Sequence, residues 1–328
     1  MGACTGNRAG PIITPRLSGH ESEGARYHSC VSYDLFFLVP KDRKPPSYEE
    51  FVAWFKDRAN YSNPENPGWY ENEMTGVYFS FACDEEEERE EALPDGLKSA
   101  QMSFNMNYFR PHIFGLEAEP EVAAFVRRFD LRVEDLEPAG AGIGAYTSEA
   151  FLRGWNEGNA FAYKSFEGKG NFGTQTLPTA EIERCWRWNL GVTALQCSLG
   201  DQIFVPRIVF IQIAGKVQSM AIWPDGLPIA LPDVDQVLLG RQELAPKKLF
   251  GRSKKDTTLM ARGGLEAVLR FGIRIKEPVP HTLFRSSKTM PAEIEAFFRK
   301  LKSDSPKLEG IAVDHILNRE LLESSNGG

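Results

Sequence analysis

The sequence predicts an α+β protein: a small antiparallel sheet with helices on one face, followed by a second α+β domain containing a β-meander and C-terminal helices. Three observations carry this reading. Apolar and polar residues alternate through 74–83 and 101–109, as strands with one buried face require. Apolar residues recur three and four apart in 51–59 and 122–129, as on one face of a helix. Strands and helices are mixed rather than regularly alternating, which favours a segregated α+β sheet over a doubly wound one. The chain has 328 residues, a net charge of −7, 42% hydrophobic and 25% charged residues, globular proportions suited to two domains. Its longest apolar runs, such as Leu35 to Val39, fall far short of the roughly 20 residues that span a bilayer, so no membrane partner is expected.

Residues 1–30 are small, polar and rich in Gly, Arg and Ser, without the apolar stretch of a secretory signal. They read as a disordered leader, with translation beginning at Val31. Cys83, Cys185 and Cys197 then remain, an odd number without metal-knuckle or disulfide spacing, which points to a cytoplasmic protein. The first domain is expected over 31–137. Tyr33 to Val39 reads as a buried strand. Ser47 and Glu50 form a capping box ahead of Phe51, Val52, Phe55 and Ala59. The strands 74–83 and 101–109 follow, and then a helix with Pro120 in its first turn carrying Val122, Phe125, Val126 and Phe129.

Residues 138–146, rich in Gly and Ala, read as a linker, and 147–325 as the second domain before a short tail at 326–328. Helices are expected from about 148 to 166 and from about 180 to 199. A meander of 208–213, 217–223 and 234–239 follows, with an irregular or edge strand between Pro228 and Pro232. Three helices close the chain. The first begins near Asp256 with Arg262, Glu266 and Arg270 on its wet face; the others carry Ile294, Phe297, Phe298 and Leu301, then Val313, Ile316, Leu317 and Leu321.

Most motifs do not survive their context. Gly140 to Ala145 fits the dinucleotide-binding pattern, yet the charged, proline-bearing stretch before it is no buried strand, so no cofactor is expected. Gly168 to Gly173 has the spacing of a kinase glycine loop, but no kinase segments follow. His112, His281 and His315 lack paired-ligand spacing, and the acidic run from Asp84 to Glu91 lacks the interleaved glycine of a calcium loop, so no metal is expected either. Ten Lys and Arg against three acids in 241–276 form a basic stretch, but without interleaved aromatics it does not favour nucleic acid.

Two clusters on the central helices have the residue types of recognition surfaces: Trp155, Asn156, Glu157 and Asn159, and Arg184, Arg187 and Trp188. Trp188, opposite Cys185 on the helix, is the expected exposed ring. An enzyme with a cryptic site using Cys185, His281 and Glu183 is the alternative, since residues distant in sequence can meet in a fold.

Val31-Ser32-Tyr33-Asp34-Leu35-Phe36-Phe37 with the capped helix after it, spanning 31–60, resembles the opening of uncharacterised bacterial proteins, some of them similar to immunity proteins of polymorphic toxin systems. The resemblance implies a cytosolic, non-catalytic protein that binds and occludes a protein partner, and the acidic run suits a basic one.

Overall fold

The computed structural model describes residues 32–61, 63–83, 93–166, 175–245, 256–285, 291–304 and 307–320. The leader, the acidic run, the glycine loop at 168–173, the basic residues from Lys247 to Lys255, Leu321 and the tail lie outside them. The fold is α+β and divides into two units, one taking its described residues from 32–183 and 312–320, the other from 184–311.

The first unit is built on a wholly antiparallel six-stranded sheet. Its strands are β1 (Ser32–Pro40), β2 (Trp69–Asn72), β3 (Val77–Cys83), β4 (Leu97–Asn107), β5 (Arg132–Asp135) and β6 (Ile143–Gly144), in the order β2-β3-β4-β1-β5-β6. Tyr33, Leu35 and Phe37 alternate into the core as a period of two requires. Three helices cover that face: α1 (Tyr48–Phe55), α2 (Ile113–Phe129) and α3 (Ser148–Phe166). An aromatic cluster joins the layers, with Phe125 of α2 against Phe81 at 4.8 Å and Phe37 at 5.0 Å, and Phe55 of α1 against Phe81 at 5.3 Å. Phe151 of α3 rests on Tyr33 at 5.4 Å. The Ser47 capping box is present, with both reciprocal bonds.

Two expectations change here. Helix α2 starts at Ile113, about two turns before Pro120, which lies inside the helix. Proline at a first turn and proline within a helix look alike in sequence; here the buried stripe through Phe114, Ala118 and Val122 continues across it and offsets the lost hydrogen bond. The segment 138–146 is not a linker but part of the sheet, since Ile143 and Gly144 pair with Glu134 and Val133. Gly140 serves close approach rather than slack: a Cβ on it would run into the Asp135 carboxylate. That carboxylate, 4% exposed, accepts from Tyr33 Oη at 2.7 Å and from the N–H groups of Glu137 and Ala141 at 3.0 Å.

The helix α4 (Thr179–Leu199) follows the short strand β7 (Gln175–Leu177). The second unit holds β8 (Val209–Ile213), β9 (Lys216–Pro224), β10 (Ile229–Pro232), β11 (Gln236–Arg241) and β12 (Asp256–Ala261). It continues with α5 (Glu266–Leu269), β13 (Ile273–Ile275), β14 (His281–Phe284), α6 (Ala292–Lys300) and β15 (Glu309–Ile311). These form a sheet of order β12-β11-β9-β8-β15 and a second of order β10-β14-β13. The hairpin β8-β9 is antiparallel, whereas β11 joins β9 in parallel, because the chain first crosses through β10 in the other sheet. That strand, between Pro228 and Pro232, is the edge of its sheet, one of the two readings its prolines left open, with a single bridge from Ile229 to Phe204 on its far side.

The segment from Asp256 expected as a helix opens instead as β12, with Arg262–Leu265 a 3-10 turn before α5. The β-branched pair Thr257-Thr258 fits a strand, and Arg241 ↔ Asp256 starts its ladder. Arg241 is 3% exposed, its guanidinium paired with Asp256 through two 2.8 Å bonds, so this member of the basic stretch is an internal cation. The closing helix expected over 313–321 is likewise a 3-10 turn, Val313–His315, followed by β16 (Ile316–Asn318), which pairs in parallel with β7 in the first unit. Ile316, Leu317 and Asn318 are all buried, and such a short run cannot reveal its period from sequence.

Candidate functional site

The α3 cluster divides by helical face. Gly154, Trp155, Gly158 and Asn159 turn inward, while Asn156 and Glu157 are exposed. Trp155 is fully buried, stacked on Tyr108 at 5.4 Å and beside Tyr33. Gly154 lets the helix approach Tyr33 Oη and the Gly140 backbone, and Gly158 makes room for Tyr108. Asn159 serves the backbone, accepting from Phe109 N at 2.7 Å and donating to Arg110 O at 2.7 Å. The outer face instead presents Arg153, Asn156, Glu157 and Lys164, and Phe161 is 72% exposed. Phe161 escaped the sequence reading, although it stands four residues after Glu157, where a helix brings side chains together.

On α4 the stripe centres on Cys185, with Ile182, Trp188, Asn189 and Val192 around it, all buried. Trp188 is therefore not the exposed ring. It lies on the side of the stripe opposite Trp186, its indole N–H donates to Pro206 O at 2.8 Å, and it packs 5.3 Å from the His281 ring. The half-buried ring is Trp186. Arg187 is exposed, and Arg184, half-buried, donates to the main-chain oxygen of Asp233. The enzyme alternative finds Cys185 1% and His281 3% exposed. His281 Nδ1 lies 2.8 Å from Val279 O, and since a carbonyl only accepts, that nitrogen carries a proton.

Glu183 belongs to the first unit and lies 4.0 Å from Nε2 of His112. His112 sits in a clasp that sequence spacing gave no reason to assemble. Asn318 accepts the His112 backbone N–H at 2.9 Å, which fixes its amide so that Nδ2 donates to His112 Nδ1 at 2.6 Å and to Thr179 Oγ1 at 2.9 Å. Thr179 in turn donates its hydroxyl and backbone N–H to Glu320 at 2.5 and 3.0 Å, placing a carboxylate at the start of α4. The His112 proton consequently resides on Nε2, which is buried and has no hydrogen-bond partner among the described residues. Burial pushes the ring below its ordinary range, against the pull of the Glu183 and Glu320 carboxylates. Nearby, Tyr78 Oη donates to Asp314 at 2.9 Å and accepts from Arg110 at 3.0 Å. Its hydroxyl is pushed up to about 12, by burial first.

Among the described residues, no group of three or more His, Cys, Asp or Glu is placed to hold a metal ion, and no helix is long and apolar enough to cross a membrane. No family model matches the sequence, and neither a curated protein nor a solved structure matches it.

Proposed function

We propose that the protein is a non-catalytic, cytoplasmic binding protein that sequesters a protein partner, the immunity-like action that the resemblance at 31–60 implies. The observation that carries this reading is Phe161, an aromatic side chain 72% exposed on the outer face of α3. Exposing a large apolar ring in water costs free energy that burial in an interface recovers, and aromatic anchors ringed by polar groups dominate such interfaces. Glu157 and Lys164, four residues before it and three after it on the same exposed side of the helix, supply polar groups beside it. A basic partner suits the net charge of −7 through faster encounter.

The test is capture from a lysate of the native host on immobilised protein, comparing the original with Phe161→Ala and the pair Asn156→Ala, Glu157→Ala. One stoichiometric protein is expected with the original and a loss of roughly tenfold or more with Phe161→Ala, at an unchanged unfolding midpoint. Recovery of the same proteins by every variant, or of none, counts against it. The second reading, an enzyme using Cys185 and His281, draws support from His281: in the neutral ring, a proton held on Nδ1 leaves Nε2 as a base.

A further inference from the structure

We propose that the arginine cluster around Asp233 in the second unit is a binding site for a phosphate group, free or as a monoester. Asp233 lies between β10 and β11, its N–H donating to Pro280 O at 3.2 Å. Arg274 of β13 meets its carboxylate with both terminal nitrogens, one of them at 2.6 Å, and Arg262 reaches the same carboxylate at 2.5 Å. Arg184 donates to the main-chain oxygen of that residue. Three guanidinium groups from distant parts of the sequence thus meet at one aspartate.

The cations are fixed in advance. Arg262 also donates to Pro232 O at 3.0 Å and to Thr282 Oγ1 at 3.3 Å, and Thr282 faces Arg274 across the β13-β14 ladder. Gly272 permits this close pairing, because a Cβ there would collide with Thr282. Burial works against the Asp233 charge, yet the Arg274 bonds and the three cations hold its carboxyl below the usual range. Arg262 is lowered by burial and by the charges of Arg274 and Arg184, which Asp233 does not fully offset. The site is reachable from water, the Arg274 side chain being 47% exposed.

A guanidinium fork matches carboxylate and phosphate oxygens alike. The two differ in charge: a carboxylate ligand only repeats what Asp233 supplies, whereas a phosphate brings about −1.5 to −2 charges and three acceptor oxygens. On this geometry Asp233 holds the arginines in register and competes for them.

The test is calorimetric titration of the full chain with inorganic phosphate, phenyl phosphate and acetate, against sodium chloride at equal ionic strength. Phosphate and phenyl phosphate are expected to bind, each weakened roughly tenfold or more by Arg274→Gln and by Arg274→Lys, which keeps the charge and loses the fork. Asp233→Asn is expected to bind phosphate more tightly and to gain more thermal stability from it than the original chain. Tighter binding of phenyl phosphate assigns the site to a phosphorylated molecule, and tighter binding of inorganic phosphate to the free ion; either supports it. No phosphate binding, binding unchanged by both Arg274 variants, or acetate as tight as phosphate overturns the proposal. So does a DNA duplex that binds more tightly than phenyl phosphate and depends on Arg274.

Discussion

Gly115 shows how a single position can reverse a general preference. Within a helix, Gly→Ala ordinarily stabilises by about 1 kcal/mol. Gly115 of α2, however, lies against the Trp155 indole, and a Cβ there would come 2.9 Å from Nε1 and closer still to the ring carbon beside it. Trp155 is 0% exposed and has nowhere to move. Gly115→Ala is therefore expected to destabilise by about 1–3 kcal/mol, measured as a lower urea midpoint; a rise in the midpoint would refute the packing described for α3. Trp155 Nε1 is also buried without a hydrogen-bond partner among the described residues. Such a group costs free energy, so this side chain is retained for its volume rather than for its N–H. The same logic explains why the Trp-rich clusters misled: tryptophan types both interfaces and cores, and only the face it occupies distinguishes them.

At the scale of elements, the clasp of Asn318, His112 and Thr179 fastens β16 beside the starts of α2 and α4. Protonating His112 requires a proton on Nδ1, where the Asn318 amide already points an N–H, so the charged ring and the clasp exclude one another. The folded ring titrates below its ordinary 6.5, so just below that pH the unfolded chain binds more protons than the folded one. Stability from this group is thus fully present above about 6.5 and is lost as pH falls toward the depressed folded value. His112→Gln is expected to flatten the pH dependence of the urea midpoint between about 7 and about 5, relative to the original chain; an unchanged slope would remove His112 from the account. Asn318→Ala, which removes three hydrogen bonds at a residue 4% exposed, is expected to cost about 2–4 kcal/mol.

For the whole molecule, burial separates the thiols. Cys197 is exposed, whereas Cys185 lies in the core stripe of α4 at 1% exposure. A thiol reagent added to the native protein is expected to modify Cys197 at once. Cys185 should follow only as the structure opens, at a rate rising with urea in step with unfolding. Fast modification of Cys185 in the absence of denaturant, abolished by His281→Ala, would instead favour the enzyme. The Phe161 surface and the Asp233 cluster belong to different units and are read by different ligands, so capture of a partner and binding of phosphate can fail separately.

The sequence by itself determined the α+β class, the buried strand β1, the capped start of α1 and the extents of α3 and α4. Each of these follows from local periodicity or local hydrogen bonding, which neighbouring residues suffice to encode. The tertiary structure alone decided that glycines at 140, 154 and 158 are contact points, that 316–318 is a strand, and which of Trp155, Asn156, Glu157 and Trp188 meet water. It alone brought Arg184, Arg262 and Arg274 to Asp233, and His112 to Asn318. These depend on which distant segments a chain lays side by side, and no spacing within one segment carries that information.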